Sequence, residues 1–505
     1  MATDVERSDS SPQAYGWLFR LRSSTGFILA TVCVSFFTDA FIYGVVVPVL
    51  PFSLQDRSGV PNNEVQWWTS VIFGVFGAAI LVTSPIWGWV ADRTPNRTVT
   101  FYIGLSIQLG ATLLFGLAEG AWVLVISRLF QGLSTAIVYT IGLAIIVDTV
   151  DRDKIGQWTG TAMSSLSFGL IISPLIGGIV YSSAGYMAVF GLAMAVVFIN
   201  IIMGLSMILH PSYEQQRPQK PPTALSGHEP NYEITNATRH KNGLLTTHIV
   251  DEHRSSATTS TIPEVSDVLL DAEEHSPLLP KDEKRSPTLP PVITLLTSPR
   301  VLASIFGIFV NVCILATFDG TLPLFVKTTF NWNPLATGLV FLCLAVPALA
   351  GPLVGMASDR IGPRWIAVIG CAATAVPLIL MRLVVNDSTE QKVLLCCLLF
   401  LTGCTLVLIV SPVTSDLSLA IEEMENEQPG VFGPGGAYAQ AFSLLNSSMA
   451  AATVVGPVVG GWLSENFGWG TMTLVMGILA LSGAIPSLFF TGGALFKKQE
   501  DRAEG

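Results

Sequence analysis

Three ionisable residues lie where an apolar environment should exclude them. Asp39 sits near the middle of FILATVCVSFFTDAFIYGVVVPVLP, residues 27–51, a run long and apolar enough to cross a bilayer. A carboxylate at that depth costs about 3 kcal/mol on insertion scales and ordinarily faces an interior cavity where it has a task. Asp319 stands in Asp319-Gly-Thr-Leu-Pro323 of a second apolar run. With Pro48 set against Pro323, Asp319 falls opposite Gly44, so the two acids are neighbours in depth and not equivalents. Arg128, in Arg128-Leu-Phe-Gln131-Gly132, puts a guanidinium into a third run, where it must find an acidic or carbonyl partner and cannot lose its proton. Two carboxylates lining one cavity can attract an organic cation and can exchange it for protons. Two alternatives stand beside this reading. Arg128 could snorkel to the nearby interface, and Asp319 could be a polar residue at the outer rim of its run.

The elements that must position these residues follow from composition. Half of the 505 residues are hydrophobic and 12% are charged, with a mean hydropathy of +0.57, as expected when lipid surrounds the fold. Apolar windows recur near 27–51, 66–90, 98–118, 121–147, 158–181, 185–209, 301–326, 335–357, 364–384, 392–415, 437–463 and 469–492. This pattern predicts an all-α membrane protein of twelve transmembrane helices in two six-helix bundles, residues 27–210 and 300–492. Between them, residues 211–299 are rich in Pro, Ser, Thr, Glu, Lys and His and read as a disordered linker. Residues 1–26 and 493–505 are expected to be tails. The polar start argues against a cleaved signal peptide, with the first span acting as an uncleaved anchor.

Several function classes are excluded. The net charge of −10 comes largely from the central loop and the connection between spans ten and eleven, and no basic stripe suggests nucleic acid. The seven cysteines, Cys33, Cys313, Cys343, Cys371, Cys396, Cys397 and Cys404, all fall inside apolar runs, with neither a disulfide framework nor zinc-ligand spacing. No HExxH, nucleophile elbow or intramembrane His pair supports an enzyme.

The two halves repeat. GWVADRTPNR at Gly88–Arg97 recurs as GMASDRIGPR at Gly355–Arg364, an offset of 267, and Asp148 and Asp416 are offset by 268. SPLIGG at Ser173–Gly178 recurs as GPVVGG at Gly456–Gly461, offset by 283 because the connection after span ten is longer. Repeated six-span halves joined by a loop are a transporter architecture, with the binding site between halves near mid-membrane. By the offset of 268 that relates Asp148 to Asp416, the position equivalent to Arg128 is Cys396, so Arg128 is not a requirement of the repeated scaffold.

Gly-x-x-x-Asp-Arg-x-x-x-Arg between spans two and three resembles the signature of the major facilitator superfamily, over both halves. The resemblance implies a cytoplasmic gate in which Gly88, with its copy Gly355, lets a neighbouring helix approach. Asp92, Arg93 and Arg97, repeated as Asp359, Arg360 and Arg364, would make the charge contacts that hold the outward-open state. Pro95, Asn96 and Pro363 depart from the family pattern. Arg128 and Gln131 resemble the family's R-x-x-Q-G motif, in which the Arg tunes a proton site in proton-coupled relatives. Gly169, Pro174, Gly177 and Gly178, with Gly456, Pro457, Gly460 and Gly461 in the second copy, resemble the antiporter motif, whose mechanics are close packing and a proline breach. Asp39-x3-Tyr43-x4-Pro48-x2-Pro51 resembles span one of the twelve-span drug:proton antiporters, within their vesicular amine transporter-like branch.

The expected function is therefore proton-coupled antiport of a small, cationic or amphipathic organic compound by a rocker-switch cycle. Asp39, Tyr43, Arg128, Gln131 and Asp319 would form the substrate and proton site. No cofactor or metal is expected, the proton gradient being the driving force, and the chain is expected to act as a monomer in the lipid bilayer. The alternatives are a proton-driven nutrient symporter and, more remotely, a non-transporting sensor. Arg20, Arg22, Arg93, Arg97, Arg152, Lys154, Arg360, Arg364, Lys497 and Lys498 fall on one side of the membrane. Only Arg57, Lys327, Arg382 and Lys392 fall on the other, which predicts cytoplasmic termini. The plasma membrane and a vacuolar or vesicular membrane both fit. Glu274-His275-Ser276-Pro277-Leu278-Leu279 has the spacing of an acidic dileucine signal for a sorting adaptor, though chance apolar residues in a linker give the same pattern.

Overall fold

Proline and glycine decide where the apolar runs become separate helices. In the computed structural model, which describes residues 22–93, 97–150, 155–207, 291–427 and 438–493, span one is Thr25–Val46. Ser24 caps it by accepting from the Phe27 N–H at 3.3 Å. Pro48 and Pro51 cannot donate to a helical ladder. The run expected to be one helix therefore turns at 47–49 and resumes as Leu50–Asp56. Span two is Val65–Arg93, span three Arg97–Gly116 and span four Ala121–Thr149. The helical stretch Ile155–Ser206 holds 52 residues and breaks at Gly185, where φ is 80° and ψ is −176°. It therefore carries spans five and six.

The second half runs as span seven, Pro299–Phe330, and span eight, which bends from Pro334–Ala345 through a 3-10 stretch, Val346–Ala350, into Gly351–Ile361. Span nine is Pro363–Leu380, span ten Thr389–Glu427, span eleven Tyr438–Phe467 and span twelve Trp469–Phe490. Eleven of the described helices are long and apolar enough to cross a membrane, and the break at Gly185 brings the spans to twelve. Among the described residues there is no strand.

One boundary needs correction. The linker expected to reach residue 299 ends earlier, because Pro291–Thr297 is helical. Its sequence, PVITLLT, is apolar, and Leu295 is fully buried against Val301, Leu417, Ala420 and Ile421. The rest of that linker, the dileucine-like segment Glu274–Leu279 and nearly all of both tails lie outside the described residues.

The repeat seen in the sequence reappears as packing. Span one lies along span five as span seven lies along span eleven, and the halves meet where span two crosses span eleven and span five crosses span eight. The face on which Arg22 and Gly493 lie is called the terminal face below, and the opposite one the far face.

Gly185 has open space around it, so a Cβ there meets no neighbour and only the backbone conformation is at stake. Its φ and ψ belong to a region essentially reserved for glycine, and other residues held there cost about 1–3 kcal/mol. Gly185→Ala is therefore expected to lower the melting temperature in detergent. Gly191→Ala, at an equally open but helical position, should leave it unchanged or raise it slightly.

Candidate functional site

Span four supplies one polar face. Arg128, Gln131, Thr135 and Tyr139 follow at steps of three, four and four residues, so their side chains stack along one side of the helix. Span one answers with Asp39 and Tyr43, four residues apart. Asp39 is buried, 5% exposed, and its Oδ1 accepts from the Thr135 hydroxyl at 3.0 Å. The Tyr139 hydroxyl and the Gln108 side chain of span three lie near the same carboxylate. Asp39 thus faces the interior of the first half, where its polar partners are gathered.

Arg128 is fully buried, which overturns the snorkelling alternative. One terminal nitrogen donates to Gln131 Oε1 at 3.1 Å and the other to the Tyr43 carbonyl at 3.4 Å. The guanidinium carbon lies 5.6, 5.4, 5.6 and 5.2 Å from the ring centroids of Tyr43, Phe73, Phe76 and Phe115, an aromatic cage that suits a weakly hydrated planar cation. Among the described residues, Arg128 Nε and Gln131 Nε2 have no hydrogen-bond partner, so donor capacity remains in the site. Both Asp39 and Asp319 lie within Coulombic reach of the guanidinium.

Asp319 joins the site from the second half. Its Oδ2 accepts from the Tyr43 hydroxyl at 2.9 Å, and it is only partly buried. Tyr43 therefore touches both charges, accepting from Arg128 through its backbone and donating to Asp319 through its side chain. The five residues expected to form the site are brought together, and Asp319 stands in the cluster and not at an outer rim. Thr135 and Tyr139 were not among the expected residues, although the 3,4,4 spacing from Arg128 would have placed them on its face. Gln108, a lone amide within span three, carries no motif that would single it out. Of the other intramembrane amides, Asn200 accepts from Ser35 at 2.7 Å and Asn311 donates to the Leu406 carbonyl at 2.9 Å, both away from this cluster.

The glycine motif divides its work. A Cβ at Gly177 would overlap the Val45 carbonyl of span one, and one at Gly460 would overlap Thr317 of span seven, each within its own half. The next glycine in each copy faces the other half. A Cβ at Gly178 would come within 2.5 Å of the Pro334 carbonyl, and one at Gly461 would overlap Ser70 and approach Gln66 Nε2 to 2.8 Å. Gly169 lies against Phe37 and Ala40, Gly456 against Cys313 and Ala316, the Pro174 carbonyl against Gly338, and Pro457 against Gly320. Gly178, Gly461 and Gly338 set how closely the halves meet towards the far face, and the others set packing within each half.

Among the described residues, the expected gate residues make no bridge between the halves. Arg97 donates to the Ala144 carbonyl at 2.9 Å and pairs with Asp148 at 2.5 Å, tying span three to span four. Arg364 donates to the carbonyls of Thr491, at 2.7 Å, and Gly493, tying span nine to the end of span twelve. Among the described residues, a Cβ at Gly88 would meet nothing within 4 Å, so no close approach is made there, and one at Gly355 would meet Ser411 of its own half at 3.4 Å. Arg360 is exposed. The side chains of Asp92, Arg93 and Asp359 lie outside the described residues. Among the described residues, the hydrogen bonds that join the halves all come from Tyr43, Gln66 and Lys327, at the site or towards the far face.

Comparison with known proteins agrees with this architecture. Residues 32–433 match the sequence profile of the Major Facilitator Superfamily. An uncharacterized MFS-type transporter, C18.02, of Schizosaccharomyces pombe is 32% identical over 476 residues, covering 92% of this chain and 95% of that protein. A probable vesicular acetylcholine transporter-B of Danio rerio is 32% identical over 162 residues, covering 31% of this chain and 33% of that protein. The crystal structure of the human organic anion transporter MFSD10 superposes with a TM-score of 0.57 at 14% identity, over 92% of this chain and 99% of that one, a likeness of fold.

Proposed function

The chain belongs to the major facilitator superfamily and is a transporter, not an enzyme, and from that premise we propose that it exchanges protons for a small organic cation by alternating access. The observation that carries the reading is Asp39, a carboxylate buried in the middle of span one with its partners already in place. Asp319 adds a second negative charge at the seam between the halves, and Arg128 offsets part of the total without touching either carboxylate directly. Two acids against one fixed base leave a net negative site, which suits a cation. A proton and a cationic substrate then compete for the same carboxylate, and competition is enough to couple their movements. The likeness of one stretch to a protein named for acetylcholine transport supports this substrate class.

The cycle needs two gates. Towards the far face the halves are held by Tyr43, Gln66 and Lys327 and by the close contacts of Gly178 and Gly461. At the terminal face, Gly88 with Asp92, Arg93 and Arg97, and Gly355 with Asp359, Arg360 and Arg364, would close when the far face opens. Basic residues near the span ends favour cytoplasmic termini. The chain would act as a monomer in the plasma membrane or in a vacuolar or vesicular membrane, driven by the proton gradient without a cofactor.

The test is a proton-flux assay in proteoliposomes loaded with a pH-sensitive dye and challenged with a panel of organic ammonium compounds. The expected result is proton movement opposite to the cation, saturable and absent from empty liposomes. Proton movement in the same direction as the substrate would favour the symport alternative. No cation-dependent proton movement, with neutral nutrients driving it instead, would overturn the proposal.

A further inference from the structure

The last turn of span seven carries Lys327, and every contact its ammonium makes is with one segment of the other half. The ammonium donates to the Pro51 carbonyl at 3.3 Å and to Gln55 Oε1, and it lies 4.2 Å from the ring centroid of Phe52. Asp56 adds an attractive charge. Three partners within Pro51–Asp56 thus form a box of carbonyl, amide and ring face, with the Asp56 charge nearby, a set that suits an ammonium group.

Both sides of the contact are held firmly in their own halves. The segment Leu50–Asp56 is tied down by the Val60 N–H donating to Leu54 and by the Phe52 ring against Tyr181, 6.3 Å between centroids. Gln55 is fixed by its own donor on Asn62 at 2.6 Å. On the other side, Asn331 adopts a left-handed conformation with φ 52° and ends span seven by donating from its N–H to the Val326 carbonyl. Trp332 donates to the same carbonyl at 3.3 Å. The box is built on the first half and its occupant on the second, so parting of the far face must pull one from the other.

We infer that Lys327 is the far-face latch, a positioning residue whose ammonium, seated in the Pro51–Asp56 box, holds the transporter closed on that side and sets how often it opens. The chemistry explains a lysine here. Its long stem reaches across the seam, and its three donors and charge engage a carbonyl, an amide and a ring at once. No residue of this latch touches Asp39, Arg128 or Asp319, so it acts on the conformational equilibrium and not on the bound cation. The inference rests on the alternating-access reading.

The experiment measures opening at both ends of the full-length protein in detergent micelles. A thiol introduced as Ser70→Cys lies against Gly461 at the far-face seam, and one introduced as Gly88→Cys lies in open space at the terminal face. Maleimide labelling of each is read above that of the native cysteines. Lys327→Met is expected to raise the labelling rate at Ser70→Cys about tenfold and to lower it at Gly88→Cys. Lys327→Arg, which keeps charge and donors, should stay within about threefold of the parent. Phe52→Leu should shift both sites in the same sense as Lys327→Met, and the two together should give less than the product of their effects. Unchanged labelling at both sites in Lys327→Met and Phe52→Leu would overturn the latch while leaving alternating access standing. Labelling that rises at both ends together would show loosening of the whole fold, and it would overturn the latch along with the alternating-access reading on which it rests.

Discussion

Asp39→Asn is expected to reduce cation-driven proton movement by at least about a hundredfold while leaving the protein folded. The substitution conserves volume and keeps an oxygen that can accept from Thr135 at the same place. What it removes is the charge. A cation drawn to the buried carboxylate would face a neutral amide, with Arg128 within Coulombic reach and now less opposed. Losing one charge-assisted contact costs about 1.5–3 kcal/mol, and every 1.4 kcal/mol is tenfold in affinity. An amide also has no proton to release at ordinary pH, so exchange should fail even where binding persists. Asp319→Asn should be milder, about tenfold, because Asp319 is only partly buried and its amide would still accept from Tyr43. Asp39→Glu should recover part of the coupling. Substrate-driven proton movement undiminished in Asp39→Asn would remove the central carboxylate from the mechanism.

The parts of this fold that were legible in the sequence are those with a large energetic signature or a visible repeat. Twelve spans follow from hydropathy because a bilayer tolerates nothing else at that depth. Asp39, Asp319 and Arg128 stood out because ionisable residues are costly there. The contact between Tyr43 and Asp319 was not legible. It joins residues 276 positions apart in different halves, and no local pattern encodes the angle at which two bundles meet. The bend in span eight at Val346–Ala350 leaves little mark in an apolar run beyond Pro347 and Pro352. Arg300 stands at the edge of the polar linker in sequence, where nothing local distinguishes it from a solvated charge. The repeat itself misleads at this point, since the offset that pairs Arg97 with Asp148 would pair Arg364 with Asp416. The structure gives Asp416 to Arg300 instead, while Arg364 binds the chain end beyond span twelve.

That exchange of partners makes Asp416 the position where the largest loss of stability is expected. Its side chain is fully buried, and one oxygen accepts from Arg300 at 2.9 and 2.6 Å and from the Gly492 N–H at 2.9 Å. The other lies 3.4 Å from the Ser304 hydroxyl. Asp416 therefore pins spans seven, ten and twelve together at the terminal face. Asp416→Ala would leave Arg300, among the described residues, with the exposed Glu423 alone to neutralise it, and the Gly492 N–H without its acceptor. Removing one partner of a buried pair costs about 3–5 kcal/mol. Asp148, its counterpart in the repeat, is 48% exposed in a pair with Arg97, and such pairs are worth less than about 1 kcal/mol. Asp416→Ala should thus lower the melting temperature in detergent by about 4–6 °C, and Asp148→Ala by much less. Because removing both members of a buried pair is far milder than removing one, adding Arg300→Met to Asp416→Ala should restore part of the loss. Equal shifts for the two aspartates would mean that the buried network at Arg300 contributes no more than its exposed twin.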